Sequence, residues 1–205
     1  MRLYDYLPSG NGYKVRLLLS QLGQAFERVE LDITQGETRT PEFLALNPNG
    51  RIPLLELDDG RRLAESNAIL VYLGHGTDFW PDDPWHQAQC LHWMFFEQYN
   101  HEPNIAVARF WQQHGEMTPE LKAQLPEKME RGYAALEVME QHLIDHAFLV
   151  GDRYTVADIA LYAYTHVAEE GGFQVGRFNG IRGWLSKVAR QPGHVRIDDA
   201  TVGAG

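Results

Sequence analysis

The chain has 205 residues, 44% of them hydrophobic and 22% charged, enough apolar material for a sizeable core in one large domain or two small ones. A formal charge of −10 argues against nucleic acid as a main partner, because phosphate binding depends on clustered Lys and Arg. No signal-peptide pattern and no apolar run near the ~20 residues of a membrane span are present, and a lone cysteine, Cys90, excludes an internal disulfide framework and a Cys-rich zinc site, so the expectation is a reduced, cytoplasmic setting without membrane partners.

"RLYDYL" alternates with period two and predicts a first strand, with Tyr4 and Tyr6 on it. After the turn Pro8-Ser9-Gly10-Asn11-Gly12, the residues Val15, Leu18, Leu19 and Leu22 fall at helical spacing, and Gly23 is a C-cap. "AFERVELD" alternates again. A strand, a helix and a strand within about thirty residues form a βαβ unit with parallel strands. Thr40 as N-cap and Pro41 at the first helical position predict a short helix over "TPEFLALN". "IPLLELDDGRRLAES" reads as a hairpin about Asp59-Gly60, and Ser66 opens the helix "SNAILVYLGHG". The order βαβ, helix, ββα gives a four-stranded mixed sheet of thioredoxin-like arrangement.

"GTDFWPDDPW" has no period and reads as a linker over residues 77–85. Beyond it the pattern is helical over about 86–114, 119–146, 155–169 and 178–190, with Pro103 interrupting the first. Met129, Tyr133, Leu136, Met139 and Leu143 form one apolar stripe. Thr155 and Asp158 match a capping box. The expected fold is therefore α/β followed by all-α: residues 1–76 as a thioredoxin-like domain and residues 86–205 as a helical bundle domain. The first 76 residues carry a net charge of −2 and the remainder −8, which places a small anionic ligand more plausibly on the first part. The simpler reading of the acidic half is a solvated helical surface.

In a thioredoxin-like domain the turn after the first strand carries a Cys-x-x-Cys pair acidified by the helix N-terminus. Here those places read Ser9-Gly-Asn-Gly12, so the protein supplies no thiol there. The setting still suits a thiolate. A helix N-terminus together with hydrogen bonds to the charged sulfur amounts to about 3 kcal/mol, which lowers a thiol pKa near 8.5 by about two units. The thiol then belongs to a ligand.

Ser9-Gly-Asn-Gly-Tyr-Lys14 after a strand, then "GRIP", then "ESNAI", then a helical half with the Thr155–Asp158 box resembles a cytosolic bacterial glutathione S-transferase, over essentially the whole chain. The resemblance implies that glutathione binds the first domain as co-substrate, without a metal, and that its thiolate attacks a small hydrophobic electrophile. It implies that Ser9, in the serine-type classes, donates a hydrogen bond to the sulfur; Asn11 matches a position where other bacterial classes use an amide for the same task. Ile52-Pro53 matches the family's cis-proline, which offers the Ile52 backbone to the cysteinyl backbone of glutathione. Glu65 pairs with the γ-glutamyl ammonium, and Ser66 with its helix N-terminus receives the carboxylate. On sequence alone Ser66 is also simply an N-cap. Arg39 and Lys14 are candidates for the glycine carboxylate or the general field, though each reads first as a plain surface charge. A homodimer is implied as well.

For the second half, the polar run "EQYNHEPNIAVARFW" at an interrupted helix places Tyr99, Asn104, Ala108 and Trp111 as candidates for the electrophile pocket. His101 and Glu102 read equally well as a structural hydrogen-bonded pair. Arg109 either steadies negative charge on a substrate or pairs across the domain interface. His142 and His146 have helical i,i+4 spacing but no third ligand, so no metal is expected. Two other activities fit the same residues: glutathione-dependent disulfide or peroxide reduction, and a non-catalytic role in binding.

Overall fold

The computed structural model describes residues 1–203, in two compact units that are considered separately. The first comprises Met1–Thr77 together with the described residues from Gln191 onward. Its elements run β1 (Arg2–Asp5), α1 (Gly10–Gln21), β2 (Glu27–Glu30), α2 (Pro41–Leu46), β3 (Leu54–Glu56), β4 (Arg62–Ala64) and α3 (Ser66–Gly74). The strand order is β2-β1-β3-β4; β1 and β2 are parallel, and the other two pairs are antiparallel. This is the expected thioredoxin-like sheet.

Alternation seats the helices. Leu3 of β1 stands opposite Leu55 of β3, which stands opposite Leu63 of β4. Leu3 and Leu55 share a buried cluster with Val15 and Leu19 of α1 and Ile69 of α3. Burial of side chains of this size stabilises by about 1.5–3 kcal/mol each, so this cluster is what fixes α1 and α3 to one face. Thr40 caps α2 by accepting from the Phe43 N–H at 3.3 Å. The hairpin turns through Asp58-Asp59-Gly60, one residue longer than a two-residue loop, with Gly60 at φ +84° where the left-handed region is needed.

The tail departs from the sequence reading, which assigns residues up to 205 to the helical domain. From Gln191 it packs on the first unit instead. Tyr13 Oη donates to the Val195 carbonyl at 2.7 Å, Arg16 to the Ile197 carbonyl at 3.0 Å and Ser20 Oγ to the Gly193 carbonyl at 2.8 Å. The Arg28 N–H on β2, the edge strand, donates to the Gly203 carbonyl at 2.8 Å. The tail thus runs over α1 and covers the sheet edge, giving carbonyls to donors that would otherwise face water. Its composition shows no helical period and gave no hint of where it docks.

The second unit, Asp78–Arg190, is helical: α4 (Pro84–Phe96), α5 (Glu102–Gln113), α6 (Pro119–Leu143), α7 (Val156–Thr165) and α8 (Asn179–Val188). The break expected at Pro103 is a π-helical segment, Glu97–His101, just before it, in which the Glu102 N–H reaches back to the Glu97 carbonyl. Proline removes one i→i−4 donor and crowds the carbonyl four residues earlier, and a wider turn relieves both. No helix among the described residues is long and apolar enough to cross a membrane.

The capping box at α7 is a hub rather than a local cap. Asp158, fully buried, accepts from the Thr155 N–H at 2.9 Å, the Leu149 N–H at 3.0 Å and Trp184 Nε1 at 2.8 Å, tying α7 to α8 and to the preceding loop. Asp158→Ala strands these buried donors, and we expect a loss of about 3 kcal/mol or more in urea unfolding. Cys90 on α4 is fully buried, and burial pushes its thiol up to about 11. A disulfide reagent should therefore titrate no cysteine in the native protein and one after denaturation.

Candidate active site

The turn at the end of β1 brings the N-terminus of α1 over Asp5. Gly12 lies so close that a Cβ built there falls 1.5 Å from Asp5 Oδ1. Asp5 is fully buried, with Arg16 Nε 2.8 Å from its Oδ2, and burial, opposed by Arg16, pushes its carboxyl up to about 6. Arg16 also donates to the Leu7 carbonyl at 2.7 Å, so the buried guanidinium clamps the end of β1 to the first turns of α1. The absent side chain at Gly12 sets how deeply α1 seats.

Ser9 is the N-cap of α1: its Oγ accepts from the Gly12 N–H at 3.2 Å. A hydroxyl used this way as acceptor keeps its own proton for donation to a ligand. Asn11, in the first turn, accepts from Ser66 Oγ at 3.2 Å through its Oδ1, which turns its amide N–H groups away from Ser66. Ser66 is the first residue of α3 and is buried. The N-termini of α1 and α3 therefore meet through an Asn–Ser hydrogen bond. Both helix ends present positive partial charge and N–H groups lacking intrahelical partners.

Lys14 does not sit on the surface, as one reading of the sequence had it. It is fully buried, and its Nζ lies 3.3 Å from both Ser66 Oγ and Asn67 Oδ1. Its spacing of five from Ser9 turns it inward, toward α3. Glu65, just before α3, has an exposed side chain and a backbone at φ +69°, a region costly for a residue with a Cβ. Nothing in the residue type announces that conformation. The Ile52-Pro53 bond is cis and precedes β3. Arg39 is exposed and donates to the Asn49 carbonyl at 3.1 Å, lying over Gly50. Tyr4 packs on Phe43 at 5.9 Å, in keeping with its place in the strand alternation.

In the helical unit, Tyr99 and Asn104 line one cavity of about 360 Å³ with Phe96, Asn100, Arg131 and Val138. Ala108 is fully buried and outside the lining of that cavity, because the face of α5 that continues from Asn104 packs inside the unit. Trp111 is half-buried and outside the lining of that cavity. His101 is buried and pairs with Thr165 Oγ1 at 2.9 Å, and Arg109 pairs with Glu170 at 2.6 Å within the same unit, so both have structural ties. His142 and His146 stack at 4.2 Å, and no group of three metal-ligating side chains occurs among the described residues. Sequence reasoning missed Arg131 at the cavity; nothing about its spacing marks it out from the other charges of α6.

A Gly12→Ala substitution tests how tightly the site is built. Its Cβ collides with an ion-paired carboxylate, and we expect a loss of about 2 kcal/mol or more in stability, read by thermal unfolding.

Comparisons with known proteins agree with this geometry. The family model described as glutathione S-transferase, N-terminal domain, matches residues 1–75, and the glutathione S-transferase C-terminal domain matches residues 95–192. A curated relative, protein URE2 of Eremothecium gossypii, is 28% identical over 95% of this chain, which spans 66% of that protein's length. Among solved structures, a glutathione S-transferase from Pseudomonas fluorescens is 50% identical with a TM-score of 0.94, over 97% of this chain and 98% of that one. Ure2p in complex with glutathione is 28% identical with a TM-score of 0.82, over 94% and 90%. A glutathione transferase from Burkholderia graminis with two glutathione molecules bound per subunit is 28% identical with a TM-score of 0.85, over 97% and 87%. With both family models matched along most of its length, the chain belongs to the glutathione S-transferase family.

Proposed function

We propose that the protein binds glutathione on its first unit, ionises the thiol, and transfers the thiolate to a small hydrophobic electrophile. The observation that carries this reading is the meeting of two helix N-termini at Ser9, Asn11 and Ser66, with no protein thiol in the turn. Such a place favours an anion and lacks a nucleophile of its own. The glutathione complex of Ure2p supports the choice of ligand.

In this reading the Ser9 hydroxyl and the Asn11 amide donate to the sulfur. The main chain of Ile52 pairs with the cysteinyl backbone, Glu65 takes the γ-glutamyl ammonium, and Ser66 with the N-terminus of α3 takes the carboxylate. Arg39 serves the glycine carboxylate. The cavity at Tyr99 and Asn104 is the electrophile's place in the helical unit. Catalysis then consists of sharpening the nucleophile and holding two reactants together. We propose a homodimer in the cytoplasm as its working form.

A second reading has a specific support. The Burkholderia graminis relative holds two glutathione molecules per subunit. Disulfide reduction needs two: one glutathione thiolate attacks the substrate disulfide and expels one substrate thiolate, and the second attacks the mixed disulfide at the glutathione sulfur, expelling the other substrate thiolate and leaving oxidised glutathione. No protein cysteine is needed for that sequence. Turnover of a small disulfide exceeding that of an aryl halide would favour it. Glutathione binding without turnover of either substrate would leave a binding protein.

Ser9→Ala is expected to raise the pKa of the bound thiol by about one unit and to slow turnover at neutral pH, with glutathione affinity within about threefold. Glu65→Ala is expected to weaken binding first. Titration of the thiolate absorbance and calorimetry measure the two effects. If Ser9→Ala keeps the full rate and pKa while Asn11→Ala loses both, the amide and not the hydroxyl activates the sulfur.

A further inference from the structure

We propose that the tail, residues 191–203, is a positioning element of the thiol site: two of its carbonyls hold the arginines that brace Leu7, and so fix the turn that ends on Ser9. The consequence for a bound thiol rests on the reading that glutathione is the ligand; the hold on the turn does not.

The turn is closed by the Ser9 N–H, which donates to the Tyr6 carbonyl at 2.8 Å, so Leu7 and Pro8 are its central residues. Leu7 is gripped from two sides. Its N–H donates to Glu30 Oε1 of β2 at 2.8 Å, and its carbonyl accepts from Arg16 Nη2 of α1 at 2.7 Å. Neither grip ends there. Arg16 Nη1 donates to the Ile197 carbonyl at 3.0 Å while its Nε lies on Asp5. Arg28, whose Nε is 3.5 Å from Glu30 Oε2, donates through Nη2 to the Ala200 carbonyl at 3.4 Å. The brace on α1 therefore ends at Ile197, and the brace on β2 ends at Ala200.

Arg16 is fully buried with the tail in place. Away from water its bonds to Asp5, Leu7 and Ile197 are strengthened by the low local dielectric, and the guanidinium has one arrangement. Lifting the tail admits water, weakens the bond to Leu7 and returns rotamers to Arg16. The tail's other anchors lie clear of the turn: Tyr13 Oη on the Val195 carbonyl, Ser20 Oγ on the Gly193 carbonyl and the Arg28 N–H on the Gly203 carbonyl. Two glycines allow that close seating. At Gly193, φ is +71° and a Cβ falls 2.8 Å from Gln21 Cα; at Gly203, φ is +74° and a Cβ falls 2.4 Å from the Phe26 ring. Neither glycine belongs to the turn or to the groups assigned to glutathione.

The test prises the tail away without touching the site. Wild type, Gly193→Val and the double variant Gly193→Val with Gly203→Val are compared by amide exchange, calorimetry with glutathione and pH titration of the bound thiolate's absorbance. Exchange at the Arg28 N–H reports the tail, and exchange at the Leu7 and Gly12 N–H groups reports the turn. All three should exchange at least about tenfold faster in the variants, while the amides of α3 keep their wild-type rates. The bound thiol should titrate at least about half a unit higher. Glutathione affinity should stay within about threefold, since the rest of the tripeptide is held elsewhere. A released tail with turn exchange and thiol titration unchanged would overturn the proposal. So would faster exchange throughout α3, which marks a general loosening, or a tail that stays docked with both glycines replaced, which contradicts the contacts above. If neither variant folds, Tyr13→Phe takes their place; it removes the bond to the Val195 carbonyl and keeps the ring, with the same signs expected at smaller size. If the wild type binds no glutathione, the ligand reading falls alone, and exchange at Leu7 and Gly12 still decides whether the tail holds the turn.

Discussion

The close approach of α1 to Asp5 is the constraint on which the site depends. With no side chain at Gly12, the helix settles onto the end of β1, and the buried Asp5–Arg16 pair fixes the turn between them. Ser9 then caps the helix and Asn11 reaches Ser66. Displacing α1 outward by the width of a methyl group would part the two helix ends. Hydrogen bonds of this kind are lost over fractions of an ångström, so the packing of one glycine governs the bonds made by Ser9, three residues back, and by its neighbour Asn11.

The site is an electrostatic device more than a set of reactive groups. The first unit offers no thiol in the turn, and Cys90, in the other unit, is buried with its thiol held protonated at neutral pH. What the first unit offers instead is two helix N-termini, the Asn11 amide, the Ser9 hydroxyl and a buried ammonium at Lys14. A helix N-terminus, a hydroxyl proton and an ammonium each favour negative charge, and the bonds Lys14–Ser66 and Ser66–Asn11 hold them in one cluster. The asymmetry in formal charge between the two parts of the chain is consistent with this division.

Much of the frame was legible because local chemistry dictated it. Alternation in "RLYDYL", the Asp59-Gly60 turn, the Thr40 cap and the Thr155–Asp158 box each name an element without help from tertiary contacts, and the family resemblance ordered them. What was not legible depended on tertiary direction. Lys14 looks like a solvent-facing charge until its position on α1 is known relative to α3. Ala108 shares a helical face with Asn104, and nothing in the spacing tells that Asn104 lines the cavity while Ala108 does not. Glu65 holds a positive φ that a glycine would have advertised. Asp158 gave away its capping role in the sequence, yet not its bond to Trp184, which is set by where α8 returns.

The tail gives the first unit an unusual assembly order. Tyr13 and Val195 are bonded across 182 positions, and Gly203 closes the outer edge of β2. During synthesis the intervening residues 78–190 must all leave the ribosome before the strip that completes the sheet edge appears. The nascent thioredoxin-like unit therefore waits, with its outer strand uncovered, while its neighbour in the chain is already free to fold. Contacts so distant in sequence form late because loop closure comes first, which makes the earlier-translated half the last to be finished.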